Sequence, residues 1–159
     1  MEQKYSAPTD KVFALLTDPK WLEARSLALG ELSASVKAKK SAKGVALTMK
    51  RRVKRELPGL VAKVMPPEAD LVFEEAWSAE ADGARTGSLH MEAVGQPITM
   101  SAEFTLSPAG KGCIYSITHK CKSSVPLIGG VIAKFAQGQV EEGCADEFKY
   151  LVDYLKKNK

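Results

Sequence analysis

Four polar side chains fall in the apolar phase of strand-like segments, and they are the residues best placed to do chemistry. Arg51 keeps phase with Val45, Leu47, Met49 and Val53. Glu75 lies between Phe73 and Trp77, and Tyr115 and His119 share the phase of Cys113, Ile117 and Cys121. Alternation with period two points all of these toward one interior. A buried charge is costly unless paired, so Arg51 and Glu75, on neighbouring strands, form a candidate ion pair. The four groups could instead anchor the polar end of a ligand, or lie at strand ends in water. His119 and Glu75 could also serve as the acid and base of a cyclase or dehydratase, if they come within hydrogen-bond distance. No nucleophile elbow and no phosphate-cradling Gly-x-x-x-x-Gly-Lys loop accompanies them, and no catalytic residue is assigned.

Metal and redox chemistry find little support. His90 and His119 are isolated and there is no Cys-x-x-Cys pair, so neither a metal nor a cofactor is expected. Three cysteines cannot all pair, and on one strand Cys113 and Cys121 would stand roughly 26 Å apart. Cys113, Cys121 and Cys144 read as small buried hydrophobes.

Charge is concentrated in one hairpin, where Lys37, Lys39, Lys40, Lys43, Lys50, Arg51, Arg52, Lys54 and Arg55 are opposed locally only by Glu56. Like charges on paired strands repel. Anionic lipid headgroups would offset them, which makes Lys50, Arg52 and Lys54 candidate membrane-docking residues for transient contact. Lysines on an exposed edge strand also block edge-to-edge aggregation without any partner. Nucleic acid is disfavoured, because the hairpin has no aromatic residue for base stacking. The acidic run Glu141, Glu142, Asp146 and Glu147 reads as the wet face of a helix.

The elements that must position these groups follow from periodicity. The 159 residues, 45% hydrophobic and 26% charged with a net charge of +4, suit one soluble domain spanning 1–159 without a disulfide scaffold. No segment approaches the ~20 apolar residues of a membrane span, and no charged-then-apolar leader opens the chain, which predicts a cytoplasmic location. A short strand at Lys4 to Ser6 precedes two helices, one started by Pro8-Thr9-Asp10, the other by Asp18-Pro19 and stopped at Gly30. Six strands follow, separated by turns at Gly44, Pro58-Gly59, Asp82-Gly83, Gly95 to Pro97 and Pro108 to Gly112, with an ambiguous segment at Leu60 to Met65. A long helix then runs from Pro126 to Lys159, with Ser124 as its cap. Its two apolar stripes, Ile128 to Phe135 and Cys144 to Leu155, point in opposite directions on a straight rod. That mismatch predicts a bend near Gly138 to Gly143, or two halves packing on different partners.

This order resembles the helix-grip arrangement of the START-like (SRPBCC) superfamily, which includes StAR-related lipid transfer domains, pollen-allergen-type proteins and polyketide cyclases. Two stretches carry the resemblance most specifically: Tyr5-Ser6-Ala7-Pro8-Thr9-Asp10-Lys11-Val12-Phe13-Ala14-Leu15-Leu16-Thr17-Asp18-Pro19, and Val125-Pro126-Leu127-Ile128-Gly129-Gly130. Together they are similar to a bacterial branch known as a domain of unknown function. The resemblance implies an α+β fold with a seven-stranded curved antiparallel sheet, two short helices after strand 1 and a long C-terminal helix. It also implies a cavity between sheet and helix that takes an apolar small molecule, and it carries no catalytic residue across.

The expected function is therefore noncatalytic binding of a hydrophobic small molecule, a lipid in the first instance, by a carrier or sensor. A polyketide cyclase- or dehydratase-like enzyme and a chaperone-activator-type interaction module are the alternatives. The candidate ligand-binding residues are Met49, Arg51, Phe73, Glu75, Trp77, Met91, Met100, Phe104, Tyr115 and His119 on the sheet, with Ile128, Ile132 and Phe135 on the helix. Small residues on the same face, Ala34, Ala38, Gly87, Ala93 and Ala102, are expected to leave room between sheet and helix. No pattern specifies an oligomeric state.

Overall fold

The computed structural model describes residues 1–159. Strand β1 (Glu2–Tyr5) leads into helices α1 (Thr9–Leu16) and α2 (Pro19–Ala28). Strands β2 (Ser33–Ser41) and β3 (Gly44–Lys54) follow, then a one-turn helix α3 (Gly59–Ala62). Strands β4 (Glu68–Ser78), β5 (Arg85–Ala93), β6 (Ile98–Ala109) and β7 (Gly112–Ser123) complete the sheet, and α4 (Gly129–Lys157) closes the chain. All neighbours are antiparallel, in the order β1-β7-β6-β5-β4-β3-β2. This is the expected α+β helix-grip fold.

Local chemistry explains the boundaries. Asp18 caps α2, its carboxylate accepting from the backbone N–H of Lys20 at 2.9 Å and of Trp21 at 3.3 Å, with Pro19 next in line. Asp82 and Gly83 both adopt positive φ, 52° and 76°, as a tight hairpin between right-twisted strands requires. The ambiguous stretch after β3 resolves into α3 and a turn; Val61 of α3 is buried while Leu60 and, past the helix, Val64 are exposed.

The sheet phase is as the alternation predicts, β2 included, where Ala34, Val36 and Ala38 align with Arg51, Met49 and Leu47, but the expected burial fails at the ends of β2. Val36 is buried, whereas Ala38 and Leu32, which immediately precedes the strand, are exposed. As the terminal strand of the sheet, β2 lies at the margin of the core, and its cover comes from α2, whose Glu23 carboxylate accepts from the backbone N–H of Val36 at 2.8 Å.

The terminal helix differs from expectation at its start. It begins at Gly129, not Pro126, and Ser124 does not cap it; Ile128 holds the cap position without a side-chain hydrogen bond. Leu127 stands fully exposed in a left-handed conformation (φ 65°), which no helical residue adopts. The helix runs unbroken through Gly138 and Gly143, so the mismatch of its stripes is resolved by different partners for its halves. Ile132 packs with Ala93 and Ile98 in a small cluster, while Cys144, Phe148, Leu151 and Leu155 close the main core. Gln137 ties the helix to β7, accepting from Cys121 N–H at 3.1 Å and donating to the His119 carbonyl at 3.2 Å. No helix is long and apolar enough to cross a membrane.

Candidate functional site: a cavity between the sheet and α4

Strand register arranges the interior side chains in parallel rows running across the sheet. One row is Val45, Trp77, Gly87, Phe104 and Ile117; four residues along β4, about 13 Å away, another is Val36, Met49, Phe73, Met91, Met100 and Cys121. Around the first row the space is filled. Trp77 packs against Phe104 (4.5 Å between ring centroids), Phe13 (5.3 Å) and Tyr115 (6.0 Å), and Tyr115 meets Phe148 of α4 at 5.7 Å. Gly87 therefore leaves no hollow: the Phe104 ring lies where its Cβ would be.

Around the second row a cavity of about 340 Å³ opens, and 25 of its 40 lining residues are hydrophobic, which favours an apolar occupant. Ten of the expected ligand-binding residues line it: Met49, Arg51, Phe73, Glu75, Trp77, Met91, Met100, Tyr115, His119 and Phe135. The other three do not. Phe104 belongs to the aromatic filling, Ile132 is sealed in the small cluster with Ala93 and Ile98, and Ile128 packs beside that cluster.

The polar groups are wired differently from the expected pairs. Arg51 aligns with Leu71 and Glu75 with Leu47, so four residues of strand separate the two, and they do not pair. Arg51 Nη1 instead reaches Glu147 Oε1 of α4 at 2.9 Å, its Nε donates to Met49 Sδ at 3.0 Å, and its guanidinium lies 4.8 Å from the Phe73 ring centre. The second Glu147 oxygen holds Arg25 Nη2 of α2 at 3.1 Å. Glu147 thus leaves the wet face to which the acidic run assigned it. Burial alone would raise its carboxyl, but Arg25 and Arg51 outweigh that and hold it below the usual carboxylate range.

Glu75 accepts a short hydrogen bond from Trp77 Nε1. Burial pushes its carboxyl up to about 7, and that hydrogen bond and Arg25 offset the rise only in part. Glu75 and His119 are not an acid/base couple. They stand in one row but three strand spacings apart, about 14 Å along the sheet, and no hydrogen bond joins them. Burial lowers the His119 imidazole and raises the Tyr115 phenol, so both are held neutral. The cysteines are unbridged, and burial raises Cys113 and Cys121 to about 11 and Cys144 to about 12, which leaves them protonated.

Arg25 and Glu147 were not among the expected site residues, although each left a trace. Arg25 follows Trp21 by four positions, on the apolar face of α2, and Glu147 precedes Leu151 by four, on the buried stripe of α4. A charge at such a position signals a buried partner that only the fold can name.

The basic hairpin also has acidic neighbours remote in sequence. Arg52 pairs with Glu68 and Asp70 of β4, both at 2.9 Å, and Arg55 pairs with Glu31 at 2.9 Å, so Glu56 is not the only local acid; Lys50 and Lys54 remain exposed.

A family model described as a protein of unknown function, DUF2505, matches residues 1–155. The chain belongs to this family. No curated protein matches it. Solved structures with the same fold include protein CV1439 from Chromobacterium violaceum, 18% identical, covering 97% of this chain and 93% of that one at a TM-score of 0.57. Protein Ms6760 from Mycobacterium smegmatis is 11% identical over 99% of this chain and 90% of that one, at 0.61. Ara h 8.0201 is 14% identical over 99% and 95%, at 0.62. At such identities the likeness establishes the helix-grip fold for this DUF2505 member and nothing about its ligand. Within that fold, the cavity combines an apolar floor, two arginines on one carboxylate, and a separate carboxyl that titrates near neutrality.

Proposed function

We propose that this DUF2505 protein binds a hydrophobic small molecule, a lipid in the first instance, between the sheet and α4, and carries or senses it without transforming it. The supporting observation is the largely apolar cavity of about 340 Å³. Ligand pockets run from about 300 to 1,000 Å³, so this one suits a single chain or a small ring system better than a two-chain lipid. Native mass spectrometry of gently purified protein should show a copurifying molecule, and stripped protein should take one up from a lipid extract. Protein that is ligand-free in repeated preparations, with no uptake, would overturn the proposal.

A second reading, a cyclase- or dehydratase-like enzyme, is favoured by Glu75, whose carboxyl near 7 in apolar surroundings suits a general acid. Glu75→Gln would then keep uptake but stop conversion of the bound molecule in cell extract; unchanged products would remove Glu75 from any mechanism. Transient docking on anionic membranes through Lys50, Arg52 and Lys54 predicts salt-sensitive liposome binding that is lost when the three are neutralised. Salt-independent binding would count against it.

A further inference from the structure

The polar wall of the cavity has more positive than negative groups in ion-pair contact. Arg25 and Arg51 share one carboxylate, each taking one oxygen of Glu147, and neither has another ion-pair partner. Arg25 is only 5% exposed, and its Nε is buried with no hydrogen-bond partner while the residue lines the cavity. Glu142 and Asp146 also line the cavity, but both are exposed to solvent and neither pairs with an arginine, and Glu75 on the sheet is engaged by Trp77, its proton affinity leaving it partly neutral around pH 7. A buried guanidinium without a counterion is strongly unfavourable, as is a buried donor without an acceptor. One incoming anion would supply the second guanidinium with a counterion of its own.

Resting on the cavity reading above, we infer that the ligand is an apolar molecule bearing one carboxylate, seated against Arg25 and Arg51 with its body along Met49, Phe73, Met91 and Met100. Within the buried Arg25–Arg51–Glu147 cluster, with Glu75 protonated, the surplus is a single charge, which a carboxylate matches. A phosphate monoester brings about −1.5 to −2 and would overshoot it. A planar carboxylate also fits the guanidinium fork. A neutral alcohol leaves the surplus in place. The Arg55–Glu31 pair on the same lining is balanced one to one and makes no such demand.

Calorimetric titration of ligand-stripped protein with decanoate, decanol and decyl phosphate at neutral pH tests this. Decanoate should bind at least about tenfold more tightly than either of the others. In Arg51→Met, which leaves a balanced Arg25–Glu147 pair, decanol binding should persist while the preference for decanoate falls away. The wild-type ranking decides the matter even if that variant does not fold. Decanol binding as tightly as decanoate would overturn the carboxylate assignment and leave the cavity reading standing. Tighter binding of decyl phosphate would overturn the single-charge argument, and failure of all three probes to bind would overturn this inference, while copurification and uptake from a lipid extract decide the proposed function separately.

Discussion

The Trp77 row and the Phe73 row lie on the same face of the same sheet under the same helix, yet the first is filled around Gly87 and Phe104 and only borders the cavity through Trp77 and Ile117, whereas the second opens onto it with four of its six residues. In the first, Trp77 and Phe104 meet over Gly87, and rings from α1 and α4 fill what is left. In the second, three of the six residues are methionines, Met49, Met91 and Met100, unbranched side chains that tolerate irregular surroundings. Rigid rings interlock over Gly87, whereas the three methionines line a gap that stays open beside the Arg51–Glu147 pair. The difference shows that a helix-grip interior is divided by side-chain shape, with one part holding the fold and the other kept open.

The largest expected effect separates the rows directly. Phe104→Ala should cost about 3–5 kcal/mol in urea unfolding, because it empties a packed site; Met100→Ala should cost less, about 2 kcal/mol, because it borders space already empty. Equal losses would erase the distinction. Glu147→Gln, at the polar wall of the hollow part, should cost about 3 kcal/mol by leaving two buried guanidiniums without a counterion. A loss below about 0.5 kcal/mol, measured the same way, would mean water already screens them.

Glu75 gives the hollow part a pH signature. Its folded pKa is raised from 4.5 to about 7, so its contribution to stability is complete below the unfolded value and is lost as pH rises through about 7. His119 is lowered and slopes the other way, stability growing as pH rises through its unfolded value. The difference between wild type and Glu75→Gln isolates the first effect: wild type should lose up to about 3 kcal/mol relative to the variant between about pH 4.5 and 7. A flat difference curve would show that Glu75 is not desolvated. The smallest stability change is expected for Met91→Phe, which copies an aromatic ring into the open row. Unfolding free energy should move by less than about 1.5 kcal/mol while ligand uptake falls at least about tenfold. Retained uptake would show that the two rows differ in more than shape.

Most of the fold was legible in the sequence. Alternation marked each strand from β3 to β7, paired glycines and prolines marked the turns, and Asp18-Pro19 marked a capped helix, because these signals act between residues a few positions apart. The interior phase of Arg51, Glu75, Tyr115 and His119 came from the same local rule. Only the tertiary structure decided which of these residues meet. Glu147 is 96 residues from Arg51, and its selection over Glu75 depends on how α4 lies across the sheet, a long-range geometry that no local spacing encodes. The hollow, too, is a property of several rows at once: small residues were present at Gly87 and at Ala93, but a ring from β6 filled the first while the second still lines open space. Local sequence fixes the direction in which a side chain points; what it touches there is set by close packing among elements brought together from the whole chain.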